Sequence, residues 1–176
     1  TVGGTLFPQE IGLAATWNPL LAASFGEITA YELRASGIPW NFSPVLDLAR
    51  QPLWSRTFET LGEDPYLASQ MGAAIVTGYQ GKGVIDAYHV AACMKHFVGY
   101  SATTSGRDRT PAWIPQKYMT ELYLPSFKKA VEAGALTVMI NSGVVNGIPG
   151  HMNYDLITKT LKQDWGFQGF AVSDWE

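Results

Sequence analysis

VAACMKHFVGY, Val90 to Tyr100, opens on an unbroken apolar run and then sets a lysine and a histidine side by side. A strand with one wet face alternates apolar and polar residues. A run that is apolar at every position belongs where both faces are covered, as in a parallel sheet flanked by helices. The same signature recurs in LTVMINSG (136–143) and GFAVSDWE (169–176), and each run closes on polar side chains: Lys95 with His96, Asn141, and Asp174.

Helical signals fill the intervals. NPLLAASFGEITAYELRASG has Asn18 to cap, Pro19 for the first turn and Gly37 past the end. Asp64 and Pro65 open a second helix that runs through YLASQMGAAIVTGYQG to the glycines at 81 and 83. A third starts near Pro115 and carries KYMTELYLPSFKKAVEAG, with Pro125 expected to kink or break it. Asn153 caps a last one over YDLITKTLKQDW. IPWNFSPVLDL reads as a further strand closing on Asp47, and GLAATW as an extra one. The outcome is α/β, with parallel strands alternating with helices in about four units, either an open doubly wound sheet or a (β/α) barrel. No GxGxxG or GxxxxGK[ST] occurs, which weakens the nucleotide-binding open sheet.

Composition removes several classes. With 47% hydrophobic and 15% charged residues and a net charge of −3, the chain is globular in character, and its basic residues are scattered rather than clustered, which argues against nucleic acid. No apolar run approaches the roughly 20 residues of a membrane span. Cys93, the only cysteine, excludes an internal disulfide and reads as a small buried thiol. There is no HxH or HExxH pattern, so no metal and no cofactor are expected. The chain starts TVGGTLF without an initiator Met, so the lack of a leader says nothing about export.

In a barrel the C-terminal ends of the strands share one face, and active sites are built there. Asp47, Lys95, His96, Asn141 and Asp174 each fall at such an end. In RQPLWSRTFETLGEDP (50–65), Arg56 can donate to vicinal hydroxyls or a carboxylate, while Trp54 and Phe58 can pack against a flat apolar face. Equally, Glu59, Glu63 and Asp64 can satisfy the arginines and cap the helix. Adjacent strand residues face opposite ways, but past the strand end Lys95 and His96 can both reach the mouth. His89 reads as a surface or satisfied histidine, and His151 in PGHMN can line the same mouth. Asp174 can serve as nucleophile, base or metal ligand, metal having the least support. Lys95 as a Schiff-base amine of an aldolase or lyase stays open, as does a carbohydrate-binding barrel without turnover.

FPQEIGLAATWNP, GIPWNFSPVLDLARQPLWSRTFETLGEDP, KHFVGY, GRDRTPAWIP, TVMINSGVVNG and GFQGFAVSDWE together resemble the first domain of glycoside hydrolase family 3, the β-glucosidase and exo-β-glucanase group. The motifs keep the family's order over nearly the whole chain. The resemblance implies a retaining, exo-acting glycosidase that removes terminal β-glycosyl residues, β-D-glucosyl first among them. Residues 1–176 would then be a fragment of a TIM-like barrel, with the barrel's start and a downstream α/β domain absent. By motif, Asp174 resembles the nucleophile; Arg56, Lys95 and His96 resemble donors to the sugar hydroxyls; Trp175 resembles an aromatic wall and Met139 an apolar contact. Ser55 stands where the family usually has glycine. The family's upstream sugar-binding aspartate has no counterpart, and Asp47 is expected to organise its loop by pairing with Arg50 or Arg56. The acid/base would come from the later domain of the same protein. Glu176 has no such role, so the chain alone would be inactive. The implied partner is a β-linked oligosaccharide or glucoside, and the implied location periplasmic or secreted.

Overall fold

A computed structural model describes residues 3–81 and 86–175. Strands β1 (Trp40–Asn41), β2 (Ala91–Phe97), β3 (Thr137–Ile140) and β6 (Phe170–Ser173) form one parallel sheet in the order β1-β2-β3-β6. Among the described residues the outer edges of β1 and β6 meet no further strand of this sheet, so it is an incomplete TIM-like barrel that is not closed.

The helices begin where the caps say. Helix α2 (Pro19–Ala35) follows Asn18, whose side chain accepts from the Leu20 and Leu21 N–H groups. Helix α3 (Pro65–Gln80) follows Asp64, whose Oδ1 takes the Leu67 N–H at 2.7 Å. The predicted continuation to Gly83 lies outside the described residues. Pro125 does not break the third helix. Helix α4 (Gln116–Tyr118) passes through a π-turn (Met119–Tyr123) into α5 (Leu124–Glu132), so Pro125 falls in the first turn of α5, where its missing N–H costs least. The last helix, Asp155–Asp164, is also wound as a π-helix, with the Asn153 side chain accepting from the Leu156 N–H.

The main core lies between the sheet and its helices. Ala92 and Met94 of β2 and Val138 and Ile140 of β3 pack with Met71, Ile75, Phe127 and Ala130, all buried. Alternation turns Cys93, Thr137 and Met139 to the opposite face, where Trp40 Nε1 donates to Thr137 Oγ1 at 2.8 Å. Cys93 is buried there, and desolvation pushes its thiol up to about 11, so it is an inert thiol. Helices α2 and α3 cross on glycines: a Cβ on Gly26 would sit 2.8 Å from the Ile75 carbonyl oxygen, which only a bare Cα permits.

Two readings of the sequence need correction. GLAATW is not a strand: Glu10–Ala14 form a short helix, α1, followed by a turn. Its Glu10 carboxylate is anchored on Ser43 Oγ (2.7 Å) and the Val45 N–H (3.1 and 3.2 Å), and this docking decides the local conformation. IPWNFSPVLDL pairs as a regular strand only at Trp40–Asn41, because Pro44 has no N–H to give the ladder; beyond it the chain still runs beside β2 through Lys95 N–H to Pro44 O and Leu46 N–H to Lys95 O. A hairpin, β4 (Val144–Val145) and β5 (Ile148–Pro149), turns on Asn146 and Gly147, both at positive φ, and carries the chain over the sheet's end.

Candidate active site

The end of β2 is where strand alternation fails. Its register with β3 shifts between Met94 and Phe97, and Lys95 and His96 both lie near enough to the Glu59 carboxylate to help hold it below its usual value. Lys95 is half-buried and His96 is 1% exposed. Asp47, 2% exposed, does not pair with an arginine as the sequence suggested. Its Oδ2 takes the His96 backbone N–H at 3.0 Å and lies 2.8 Å from His96 Nδ1. The reason is register: Leu46 is bonded to Lys95, which puts the next residue of each segment side by side, while Arg50 reaches the Glu63 carbonyl and Arg56 turns to Glu59.

Arg56 is gripped by Glu59 at both ends of the fork, Nε to Oε1 and Nη2 to Oε2, each at 2.8 Å. This bidentate pairing holds Glu59 below the ordinary carboxylate range and raises the guanidinium above its own. Nη1 lies 3.4 Å from the Tyr100 hydroxyl, and the guanidinium sits over the Trp54 and Tyr100 rings. Trp54 is therefore no sugar platform. It is buried, with Nε1 donating to Asp108 Oδ1 at 2.8 Å, and Tyr100 donates to the other Asp108 oxygen at 3.0 Å. Burial, then Asp108, pushes the Tyr100 hydroxyl up to about 12. Phe58 remains half-exposed.

Asp174 follows β6 and is 6% exposed. Ser142 Oγ donates to its Oδ2 at 3.1 Å, and Arg109 Nη2 stands 3.7 Å from the same oxygen. The end of β3 links this acid to the lysine–histidine strand, since the Asn141 N–H donates to Phe97 O at 2.8 Å and its side chain to Val98 O at 3.1 Å. Trp175, 60% exposed, lies against Phe42 with ring centroids 5.2 Å apart, and Phe42, Trp40 and Phe170 continue the aromatic row. Met139 is buried one pair inside the mouth, opposite Val172.

Arg109, Phe42 and Glu10 were not anticipated as neighbours of these groups. GRDRTPAWIP offered a signal for the first, two arginines flanking an acid after a strand end, but nothing in it points to Asp174. His89 is satisfied by Asp86, 2.7 Å from Nδ1, and His151 stands exposed on the 3-10 turn Gly150–Met152. Among the described residues no group of three or more His, Cys, Asp or Glu side chains is placed to hold a metal ion. A cavity of about 380 Å³ lies elsewhere, between the outer helices, lined by Ser69, Leu124, Lys128 and Trp165.

A parallel α/β sheet here gathers a buried aspartate, a lysine–histidine pair and a glutamate-braced arginine at its C-terminal strand ends, the face on which barrel folds build their sites. The family follows from comparison: residues 1–176 match the glycosyl hydrolase family 3 N terminal domain, and the chain belongs to that family. It is 51% identical to a lysosomal beta glucosidase of Dictyostelium discoideum, covering 98% of this chain and 22% of that protein. Its backbone superposes with a TM-score of 0.97 on a β-glucosidase from Erythrobacter marinus at 38% identity, over 99% of this chain and 24% of that one. With a β-glucosidase from Listeria innocua in complex with glucose the TM-score is 0.95 at 37% identity, over 98% and 24%. The chain thus spans about a quarter of the length of the relatives it matches.

Proposed function

We propose that these residues form the nucleophile half of a retaining, exo-acting β-glycosidase, with a terminal β-D-glucosyl unit as its substrate. The observation that carries this reading is Asp174: a nearly buried carboxylate at a strand end, oriented by Ser142 and faced by Arg109, on the edge that also bears Lys95, His96 and Arg56. In the proposed reaction an Asp174 oxygen attacks the anomeric carbon as the glycosidic C–O bond breaks, giving a glycosyl ester. Water then cleaves that ester and returns the carboxylate. Retention needs a second carboxyl group about 5–5.5 Å away to protonate the leaving oxygen and then activate the water, and we assign it to a later domain of the same protein. Residues 1–176 alone would then be inactive.

Lys95, His96 and Arg56 hold the sugar hydroxyls in this reading, Trp175 walls the ring and Met139 closes the apolar floor. The relatives named as β-glucosidases, one of them with glucose bound, support the choice of glucosyl.

The test is to treat the full-length protein with an activated 2-deoxy-2-fluoro-β-glucoside. Inactivation is expected, with a fluoroglucosyl adduct on the peptide bearing Asp174. A protein that binds glucose but accumulates no adduct would instead be a carbohydrate-binding barrel without turnover.

A further inference from the structure

Among the three residues assigned to the sugar hydroxyls, His96 alone can accept a hydrogen bond; Lys95 and Arg56 only donate. Which of its nitrogens accepts is decided by what the other one meets. Nδ1 meets Asp47 Oδ2 at 2.8 Å, and the same oxygen is pinned by the His96 backbone N–H at 3.0 Å. Both side chains are 1% exposed, so no solvent competes for either. A carboxylate offers no donor in any rotamer, so the imidazole proton belongs on Nδ1, and a neutral ring then carries a bare lone pair on Nε2.

We infer that Asp47 is a positioning residue that makes His96 a hydrogen-bond acceptor, so that one sugar hydroxyl must donate to Nε2 while it receives from a neighbouring cation. The inference rests on the glycosidase reading above. Its consequence is selectivity. At that hydroxyl a fluorine, which can only accept, meets donors it can satisfy and an acceptor it cannot, and leaving a polar group unpaired in such a site costs far more than a missing contact.

Two measurements on the full-length protein test this. The first is 15N NMR of histidine-labelled protein at pH 8, where an ordinary imidazole is neutral, with His96 assigned by the loss of its signals in H96Q. The expected spectrum has the proton on Nδ1 and Nε2 unprotonated; a proton on Nε2 overturns the inference.

The second compares kcat/KM for an aryl β-glucoside with its 3-, 4- and 6-fluoro analogues. Wild type should reject one fluoro position by about 100-fold. D47A should shrink that one ratio about tenfold, whereas D47N, whose amide oxygen is still held by the His96 N–H, should keep it within about threefold. A D47A protein that loses activity equally on all four substrates shows a merely structural role and overturns the inference. If no glycoside is turned over, the glycosidase reading fails by itself, and the spectrum still reports whether Asp47 sets the tautomer.

Discussion

Replacing Glu10 by glutamine should make the protein's stability less sensitive to pH. Glu10 is 8% exposed; burial raises its pKa from 4.5 to about 7, although Ser43 Oγ, the Val45 N–H and the charge of Lys95 all pull the other way. The sign follows from proton counts. Below about 4.5 the carboxyl is protonated whether the chain is folded or not, and its titration adds nothing. Between about 4.5 and 7 the unfolded chain loses the proton that the folded chain keeps, so stability falls as pH rises, and above about 7 the full cost is present and constant.

At 1.36 kcal/mol per unit the shift is worth roughly 3 kcal/mol. Glu10→Gln keeps one carbonyl oxygen for Ser43 and Val45 and cannot ionise. Relative to wild type it should therefore gain roughly 3 kcal/mol on going from pH 4.5 to pH 7.5, on top of a constant offset from the changed hydrogen bonds. Urea unfolding of both proteins, followed by tryptophan fluorescence at a series of pH values, measures this. A difference between the two that stays within about 0.5 kcal/mol over that range would refute the reasoning, because the carboxyl would then be titrating as an exposed one does.

Glu59→Gln should loosen Arg56 by removing the charge from its two 2.8 Å contacts, raising KM for a glucoside about tenfold, a loss of about 1.4 kcal/mol. Its thermal midpoint should barely move, since both side chains are partly exposed; an unchanged KM would show that Glu59 does not hold Arg56 for the substrate. Gly78→Ala places a methyl against the Ala23 carbonyl oxygen and 2.9 Å from the Gly26 Cα, which overpacks the helix crossing. The cost should be about 1–3 kcal/mol, read as a lower urea midpoint, and a midpoint at or above wild type would mean the helices can part at little cost.

Much of the architecture was legible from local chemistry. Asn18, Asp64 and Asn153 announce helices because their side chains satisfy N–H groups within three residues, a relation contained in the sequence itself. VAACM, LTVMI and GFAVS announce buried parallel strands because no wet face imposes alternation. The Asn146–Gly147 hairpin is local in the same sense, because an Asn-Gly pair accepts the positive φ that such a turn requires. GLAATW was misread because so short an apolar run suits strand or helix equally, and its conformation depends on where Glu10 docks.

The strand-end positions of Asp47, Lys95, His96 and Asp174 likewise needed only the order of elements along the chain. Their partners needed the order of strands across the sheet. Asp47 meets His96 because β1 lies beside β2, and Asp174 meets Ser142 because β3 lies beside β6. Hydrogen bonds and ion pairs act over about 3–4 Å, while the residues concerned lie 49 and 32 positions apart in the chain. No local pattern encodes such a pairing. It is selected when burial of the Val138 and Ile140 face against the helices fixes which strands are neighbours.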